Sequence, residues 1–199
     1  MIFIDFIQGF IIGLSLIIAI GPQNLFVIRQ GLIKNYIFIV CLICSLSDSL
    51  LIIIGITLSS YLINISSIFV TSLKIIGSLW LIIYGILKIK NAITSEDIEI
   101  EVNKKIINNV VIATLALTFL NPHVYLDTIV LIGSIALNFE NKISFGLGVI
   151  LSSFVFFFSL GYFSQFLSRF IKSKRSWFWI DSTFGLLMIV YGIFFFLKS

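Results

Sequence analysis

Three aspartates lie in long apolar stretches of the chain, and their carboxylates are the first candidates for chemistry. Asp48 stands near the centre of one stretch in CSLSDSLL, Asp127 ends LNPHVYLD, and Asp181 occurs in WFWIDSTFG. A carboxylate at the centre of a bilayer costs at least about 2.5–3.5 kcal/mol, so it needs a partner or a wet cavity. No Lys or Arg lies deep in an apolar stretch to pair with Asp48. The missing cation is then a substrate or a proton, which Asp48 and Asp127 are predicted to bind.

The only two prolines, Pro22 and Pro122, also fall inside apolar stretches, within GPQN and LNPHVYLD. A proline inside a helix removes a hydrogen bond and costs about 3 kcal/mol. In lipid such a break is tolerated only where protein or a wet cavity satisfies the freed backbone groups. The ends of broken helices bind the carboxylate and the ammonium of a zwitterion. The predicted breaks are Gly21, Pro22 and Pro122, and the predicted substrate-binding residues are Gln23, Asn24, Asp48, Asn121 and Asp127. The alternative is a structural kink whose amides join helices.

Two charged residues each have two interpretations. Asp181 opens the last apolar stretch, so it either contacts substrate or caps a helix N-terminus, where the dipole favours a negative charge. Arg29 closes GPQNLFVIR, and we expect it to anchor the first helix by reaching the lipid headgroups. The alternative role for Arg29 is to bind a substrate carboxylate.

His123 is the only histidine, and Cys41 and Cys44 form the only cysteine pair. Metal sites gather three or four ligands, so one histidine beside Asp127 is weak support for a metal. His123 is predicted either to donate a hydrogen bond or relay a proton to Asp127, or to be purely structural. The cysteines lack the βαβ context of a redox motif and read as small apolar residues inside a helix. We predict no metal, no cofactor and, without a nucleophile–base pair, no enzyme.

The composition requires lipid around these residues. Of the 199 residues 59% are hydrophobic and 11% are charged, and the mean hydropathy is +1.17. Soluble domains carry about 25% charged residues. The chain has too little polar surface for a soluble monomer, so residues 1–199 are predicted to form one transmembrane domain. The net charge of +4 then reports membrane orientation rather than nucleic-acid binding.

Six segments are long enough to span a bilayer as helices, since about 20 apolar residues suffice. We expect an all-α membrane protein with these spans at about 6–28, 37–60, 67–88, 109–136, 143–168 and 178–197. The loop at about 89–108 is predicted to be cytoplasmic, because Lys and Arg concentrate in the first, third and fifth connections. Both termini would then face outward. Several glycines are predicted to allow close helix packing: Gly9, Gly13, Gly146, Gly148 and Gly161.

The two halves of the chain resemble each other. Pro22 and Pro122 take equivalent places in the first and fourth spans, and LWLIIYGILK (79–88) is echoed by LLMIVYGIFFFLK (186–198). Two halves of three helices each must insert with opposite orientation. The chain is therefore predicted to be an inverted repeat of about 1–90 and 106–199, with helices 1 and 4 broken at proline, as in many secondary transporters.

Four stretches resemble the LysE family of basic amino acid exporters: GPQNLFVIRQGL (21–32), Ser47-Asp48, LNPHVYLDT (120–128) and WIDSTFGLLM (179–188). The resemblance implies a small multi-spanning carrier of the bacterial inner membrane with five or six spans. Such carriers export L-lysine or L-arginine, driven by the membrane potential and the proton gradient. The family's motif positions correspond here to Gly21, Pro22, Gln23, Asn24, Asp48, Asn121, Pro122 and Asp127.

Together these features predict a secondary exporter of L-arginine, L-lysine or both, working by proton antiport and alternating access. Asp48, Asp127 and His123 are the proton-coupling candidates. The alternatives are an exporter of another cation, such as a divalent metal ion, and a membrane scaffold without transport. The expected partners are the amino acid, protons and membrane lipid, with a possible homo-oligomer.

Overall fold

A computed structural model of the chain describes residues 2–18, 21–58, 75, 78, 79, 81–87, 89, 90, 93, 107–170 and 174–197. This part of the chain is helical and contains no strand, so the prediction of an all-α protein is confirmed there. The helices are α1 (Ile2–Ile17), α2 (Pro22–Leu32), α3 (Ile37–Leu58), α4 (Ile107–Phe119), α5 (Pro122–Tyr125), a π-helical turn (Leu126–Leu131), α6 (Ile132–Ala136), α7 (Lys142–Leu167), a 3-10 turn (Ser168–Phe170) and α8 (Lys174–Leu197). Residues 81–87 are also helical.

Among the described residues, α3 and α7 are each long and apolar enough to cross a membrane. The pair α1 and α2 counts as a third span if the two helices cross together, although their axes differ by 82°. The residues of the predicted fourth span form α4 to α6 and those of the sixth lie in α8, and in the described part of the chain their apolar helices are shorter than a membrane span. Most of the predicted third span and of the loop at about 89–108 lies outside the described residues. The six-helix inverted repeat therefore stays a prediction.

Both prolines stand at the start of a helix rather than inside one. Helix α2 begins at Pro22 and α5 begins at Pro122. At the first position of a helix the missing proline N–H has no intrahelical partner to lose, and the fixed φ angle suits the helix. The chain avoids the cost of an interior proline by ending one helix and beginning another.

Side chains satisfy backbone carbonyls on the far side of each break. The Asn24 amide Nδ2 donates to the carbonyl oxygen of Ile17 at 3.0 Å. The Tyr125 hydroxyl donates to the carbonyl oxygen of Phe119 at 2.7 Å. The last carbonyls of a helix have no intrahelical donor, and lipid offers none. These two side chains therefore take the place of missing backbone N–H groups and hold the two half-helices of each break together.

Helix α1 packs against α7 through glycines. A side chain at Gly9 would collide with the backbone of Phe145, and one at Gly148 would collide with the backbone of Phe6. Such close backbone approach is the usual way for helices to associate in lipid. The predicted role in close helix packing is confirmed at Gly9, Gly13 and Gly148, whereas a side chain at Gly146 or Gly161 would meet only side-chain atoms.

The same pair of helices is joined at one end by hydrogen bonds. The buried Asp5 carboxylate accepts from the backbone N–H of Asn141 at 3.0 Å. The Asn141 side chain in turn accepts from the N–H of Ser144 at 2.9 Å, which caps α7. The Ser144 hydroxyl donates to the carbonyl of Ile2 at 2.6 Å. Asp5 is thus a structural carboxylate.

We expect Gly148→Ala to destabilise the protein and Gly146→Ala to have little effect. The added methyl group at residue 148 meets backbone atoms of Phe6, whereas at residue 146 it meets only the flexible end of Ile56. Overpacking against backbone costs about 1–3 kcal/mol. The check is the thermal unfolding midpoint of both variants in detergent. Equal midpoints for the two variants would contradict the close approach of α1 and α7.

Candidate functional site

One cavity of about 210 Å³ lies where the two helix breaks meet α3. Its lining includes the start of α2, the residue before α5, the π-helical turn and the middle of α3. Polar side chains from all four segments face it: Gln23, Asn24, Asp48, Asn121, Asp127 and Thr128. Gly21 and Pro22 also line the cavity. The structure thus brings together in one place the residues that the sequence predicted to bind substrate.

The glycine at the first break provides space rather than unusual backbone geometry. Gly21 has φ −118° and ψ 178°, an extended conformation that any residue adopts. A side chain at Gly21 would meet nothing within 4 Å, so the position opens onto the cavity. Helix α2 then starts at the cavity wall, and the positive end of its dipole favours an anionic group there.

One carboxylate oxygen of Asp48 accepts a hydrogen bond from the protein, and the other is buried without a donor among the described residues. The residue is 4% exposed on α3, and its Oδ2 accepts a hydrogen bond from the Ser153 hydroxyl at 3.0 Å. Within the described part of the chain, Asp48 Oδ1 and Gln23 Nε2 are buried and lack a hydrogen-bond partner. The two side chains lie close enough to interact. The Gln23 amide and the Asp48 carboxylate are thus a buried donor and a buried acceptor close to each other at the cavity, and such polar atoms are rarely left unsatisfied.

Asp127 lies in the π-helical turn, which the sequence did not predict. Its carboxyl group lies close enough to that of Asp48 for their charges to interact. The Thr128 hydroxyl donates to the carbonyl of Val124 at 2.6 Å, and Gly55 of α3 lets the backbone of the turn approach closely. Single π-helical turns occur frequently at functional sites.

The rest of the wall is apolar, with Leu16, Ile17, Val124, Ile132 and Phe157. Mostly apolar lining with a few polar groups is the usual composition of a small-molecule site. Tyr191 also reaches the cavity. Sequence reasoning missed Tyr191 as a site residue, although the repeated Tyr-Gly pair at 84–85 and 191–192 marked it.

Arg29 and Asp181 do not line this cavity but form an ion pair with each other. Arg29 Nε lies 2.6 Å from Asp181 Oδ1, and Nη2 lies 3.3 Å from Oδ2. The two side chains are only 14% and 21% exposed. Arg29 therefore has a protein carboxylate as its partner where the sequence suggested headgroups. The helix-cap interpretation of Asp181 is wrong, because α8 begins seven residues earlier, at Lys174.

The remaining sequence candidates fall elsewhere. Cys41 and Cys44 are free thiols buried on α3, and the Cys41 thiol donates to the carbonyl of Phe157 at 3.2 Å. This fits the interpretation of the cysteines as packing residues. The side chain of His123 lies outside the described residues, so its predicted role stays a prediction.

Comparison with known proteins identifies relatives over nearly the whole chain. A family model described as "LysE type translocator" matches residues 14–199. A protein of Pectobacterium carotovorum subsp. carotovorum (strain PC1), named arginine exporter protein ArgO, is 36% identical over 87% of both chains. Proteins of the same name from Salmonella enteritidis PT4 and Salmonella paratyphi C are 36% and 38% identical, over 92% and 85% of this chain and 89% and 84% of their own. No solved structure is a significant match.

Proposed function

The chain belongs to the LysE family of translocators, and from this premise we propose that it exports basic L-amino acids, arginine foremost, across the bacterial inner membrane. As a family member it is a multi-pass membrane transporter and not an enzyme. The relatives named for arginine export are more than a third identical to it over most of its length, which favours arginine over lysine as the main substrate.

The observation that carries the proposal is the pair of carboxyl groups in one cavity. Asp48 comes from α3 and Asp127 from the π-helical turn, and their charges lie within reach of each other. Two carboxylates in a weakly polar cavity repel, so a cation or a proton between them is favourable. A guanidinium or ammonium head fits there, with its methylene stem along the apolar wall.

The start of α2 offers the complementary group for the α-carboxylate of the amino acid. The positive end of the helix dipole favours an anion, and the Gln23 amide at the same helix start is a candidate to orient it. Asn121 lines the cavity from the second break and is the further candidate to orient the α-amino group. Asn24 contributes less to binding in this scheme, because its amide already donates to the Ile17 carbonyl.

Proton antiport supplies the driving force in this proposal. The cell interior is negative, so moving a cation outward costs about 2.3 kcal/mol per charge per 100 mV. Asp48 and Asp127 would each exchange the substrate cation for a proton from outside, with His123 as a further candidate for the relay. The breaks at Pro22 and Pro122 would let the two predicted repeats, about 1–90 and 106–199, open the cavity alternately to each side.

The test is efflux of preloaded labelled arginine and lysine from cells with and without the protein. We expect severalfold faster arginine efflux with the protein, abolished when the proton gradient is collapsed. An inserted protein that changes the efflux of neither amino acid would contradict the proposal, and divalent metal ions would be tested next. Efflux that survives collapse of the proton gradient would contradict proton antiport alone.

A further inference from the structure

We infer that Ser153 is a positioning residue: it fixes the Asp48 carboxylate so that Oδ1 meets the cationic group of the cargo, and it thereby sets the preference for cationic over neutral amino acids. The inference rests on the proposed function, because it assigns to Asp48 the recognition of a basic side chain. Ser153 was not among the residues singled out from the sequence.

The two carboxylate oxygens of Asp48 have different surroundings. Ser153 lies on α7, is fully buried, and donates its hydroxyl to Asp48 Oδ2 at 3.0 Å. Hydrogen bonds to a charged acceptor are about twice as strong as neutral ones. Oδ1 of the same carboxylate has no partner among the described residues, and the side chain lines the cavity. Ser153 thus fixes Oδ2 of the carboxylate, and Oδ1 is the oxygen without a donor among the described residues that a cationic cargo would satisfy.

A serine that merely needs a hydrogen-bond partner in an apolar helix behaves differently. Such a hydroxyl bonds a backbone carbonyl three or four residues earlier in its own helix. The neighbouring Ser152 does this, donating to the carbonyl of Val149 at 2.7 Å, and Ser164 does so with Leu160 at 2.7 Å. Ser153 instead reaches across to α3, to a residue 105 positions away. Its hydroxyl is therefore committed to Asp48 and not to local helix structure.

Loss of the Ser153 hydroxyl frees the carboxylate to rotate. Oδ2 then loses its donor, and neither oxygen is held next to Gln23 Nε2 at the cavity. A cationic amino acid then binds a less well oriented Asp48 carboxylate and loses affinity, whereas a neutral amino acid of the same shape loses little affinity. The expected effect of Ser153→Ala is a rise of roughly tenfold in the KM for arginine, the size typical of losing one hydrogen bond to a charged group. The maximal rate changes much less.

The experiment compares arginine with citrulline, which has the same shape but a neutral ureido head, in efflux from proteoliposomes containing the full chain. We expect Ser153→Ala to lower the ratio of arginine to citrulline kcat/KM about tenfold. Ser153→Thr restores the wild-type ratio because it keeps the hydroxyl. Ser153→Cys, a weak donor of similar size, behaves like Ser153→Ala and serves if the alanine variant does not fold. The matched control is Ser152→Ala, which leaves the ratio unchanged.

Three outcomes would overturn the inference. The first is a wild-type arginine-to-citrulline ratio in Ser153→Ala and Ser153→Cys. The second is an equal loss for both substrates, which would assign Ser153 to packing alone. The third is a wild-type protein that moves no arginine, which would overturn the proposed function itself and is recognised before any variant is measured.

Discussion

Asp48→Asn is expected to abolish arginine export while leaving the protein folded and inserted. Asparagine keeps the size of the side chain and can still accept the hydrogen bond from Ser153. It removes the negative charge that faces the cavity, and truncating one partner of a buried charge pair costs about 2–5 kcal/mol. The expected loss in kcat/KM is therefore at least about 30-fold and extends to several thousandfold. The measurement is efflux of labelled arginine from cells, normalised to the amount of protein in the membrane fraction.

Asp127→Asn is expected to act in the same direction in the same assay, because the two carboxyl groups share one cavity. The matched control is Asp5→Asn. Asp5 is also a buried aspartate, but it accepts from the backbone of Asn141, a bond that asparagine can still accept. Export should survive in Asp5→Asn. Normal export by both Asp48→Asn and Asp127→Asn would refute the assignment of the cavity to a cation.

Disrupting the Arg29–Asp181 pair is the second large expected effect, and it acts on stability. The pair joins α2 to α8, and both side chains are mostly buried. Replacing either partner by alanine removes the charge with which the other side chain is paired, and breaking a buried pair costs on the order of 3–5 kcal/mol. The exchange Arg29→Asp with Asp181→Arg keeps both charges and is expected to recover most of that loss. The measurement is the midpoint of heat-induced loss of the monodisperse peak in detergent size-exclusion chromatography.

Arg169→Ala is the control for the ion pair. Arg169 is exposed, and its guanidinium lies over the Phe166 ring at 5.1 Å. A cation–π contact at an exposed site is worth about 0.5–1 kcal/mol, so the midpoint should shift little. If Arg29→Ala and Asp181→Ala were as stable as Arg169→Ala, the pair would not be holding α2 to α8.

The sequence predicted the residues that line the cavity well, because lipid leaves few places where a polar side chain or a helix break is stable. A proline or a carboxylate in an apolar stretch must find protein or water, and the chain has only two prolines. We therefore expect prolines and polar side chains in apolar stretches to lie together, where protein or water can satisfy their polar groups. Gln23, Asp48, Asn121 and Asp127 accordingly line one cavity. Whether they bind substrate is a matter for the efflux experiments.

The contacts that could not be predicted from the sequence depend on how separate helices are oriented toward each other. The bond from Ser153 to Asp48 spans 105 positions, and the Arg29–Asp181 pair spans 152. Each contact depends on how two apolar helices are oriented about their own axes. A nearly uniform apolar sequence does not define that orientation. The π-helical turn around Asp127 packs against Gly55 of another helix, and no local residue pattern indicates that turn. The apolar residues from about position 178 predict a helix start next to Asp181, whereas α8 begins with the charged Lys174 and places Asp181 inside the helix.

The glycine contact between α1 and α7 can form only after most of the chain has been synthesised. About 125 residues separate the end of α1 at Ile17 from the start of α7 at Lys142. At bacterial elongation rates, on the order of ten seconds pass before the ribosome has made the surface that α1 needs. During that interval Asp5 has not met the backbone of Asn141, and the glycine face of α1 is open to lipid or to the insertion machinery. The glycine face of α1 therefore stays without the helix it packs against until the fifth predicted span has been synthesised.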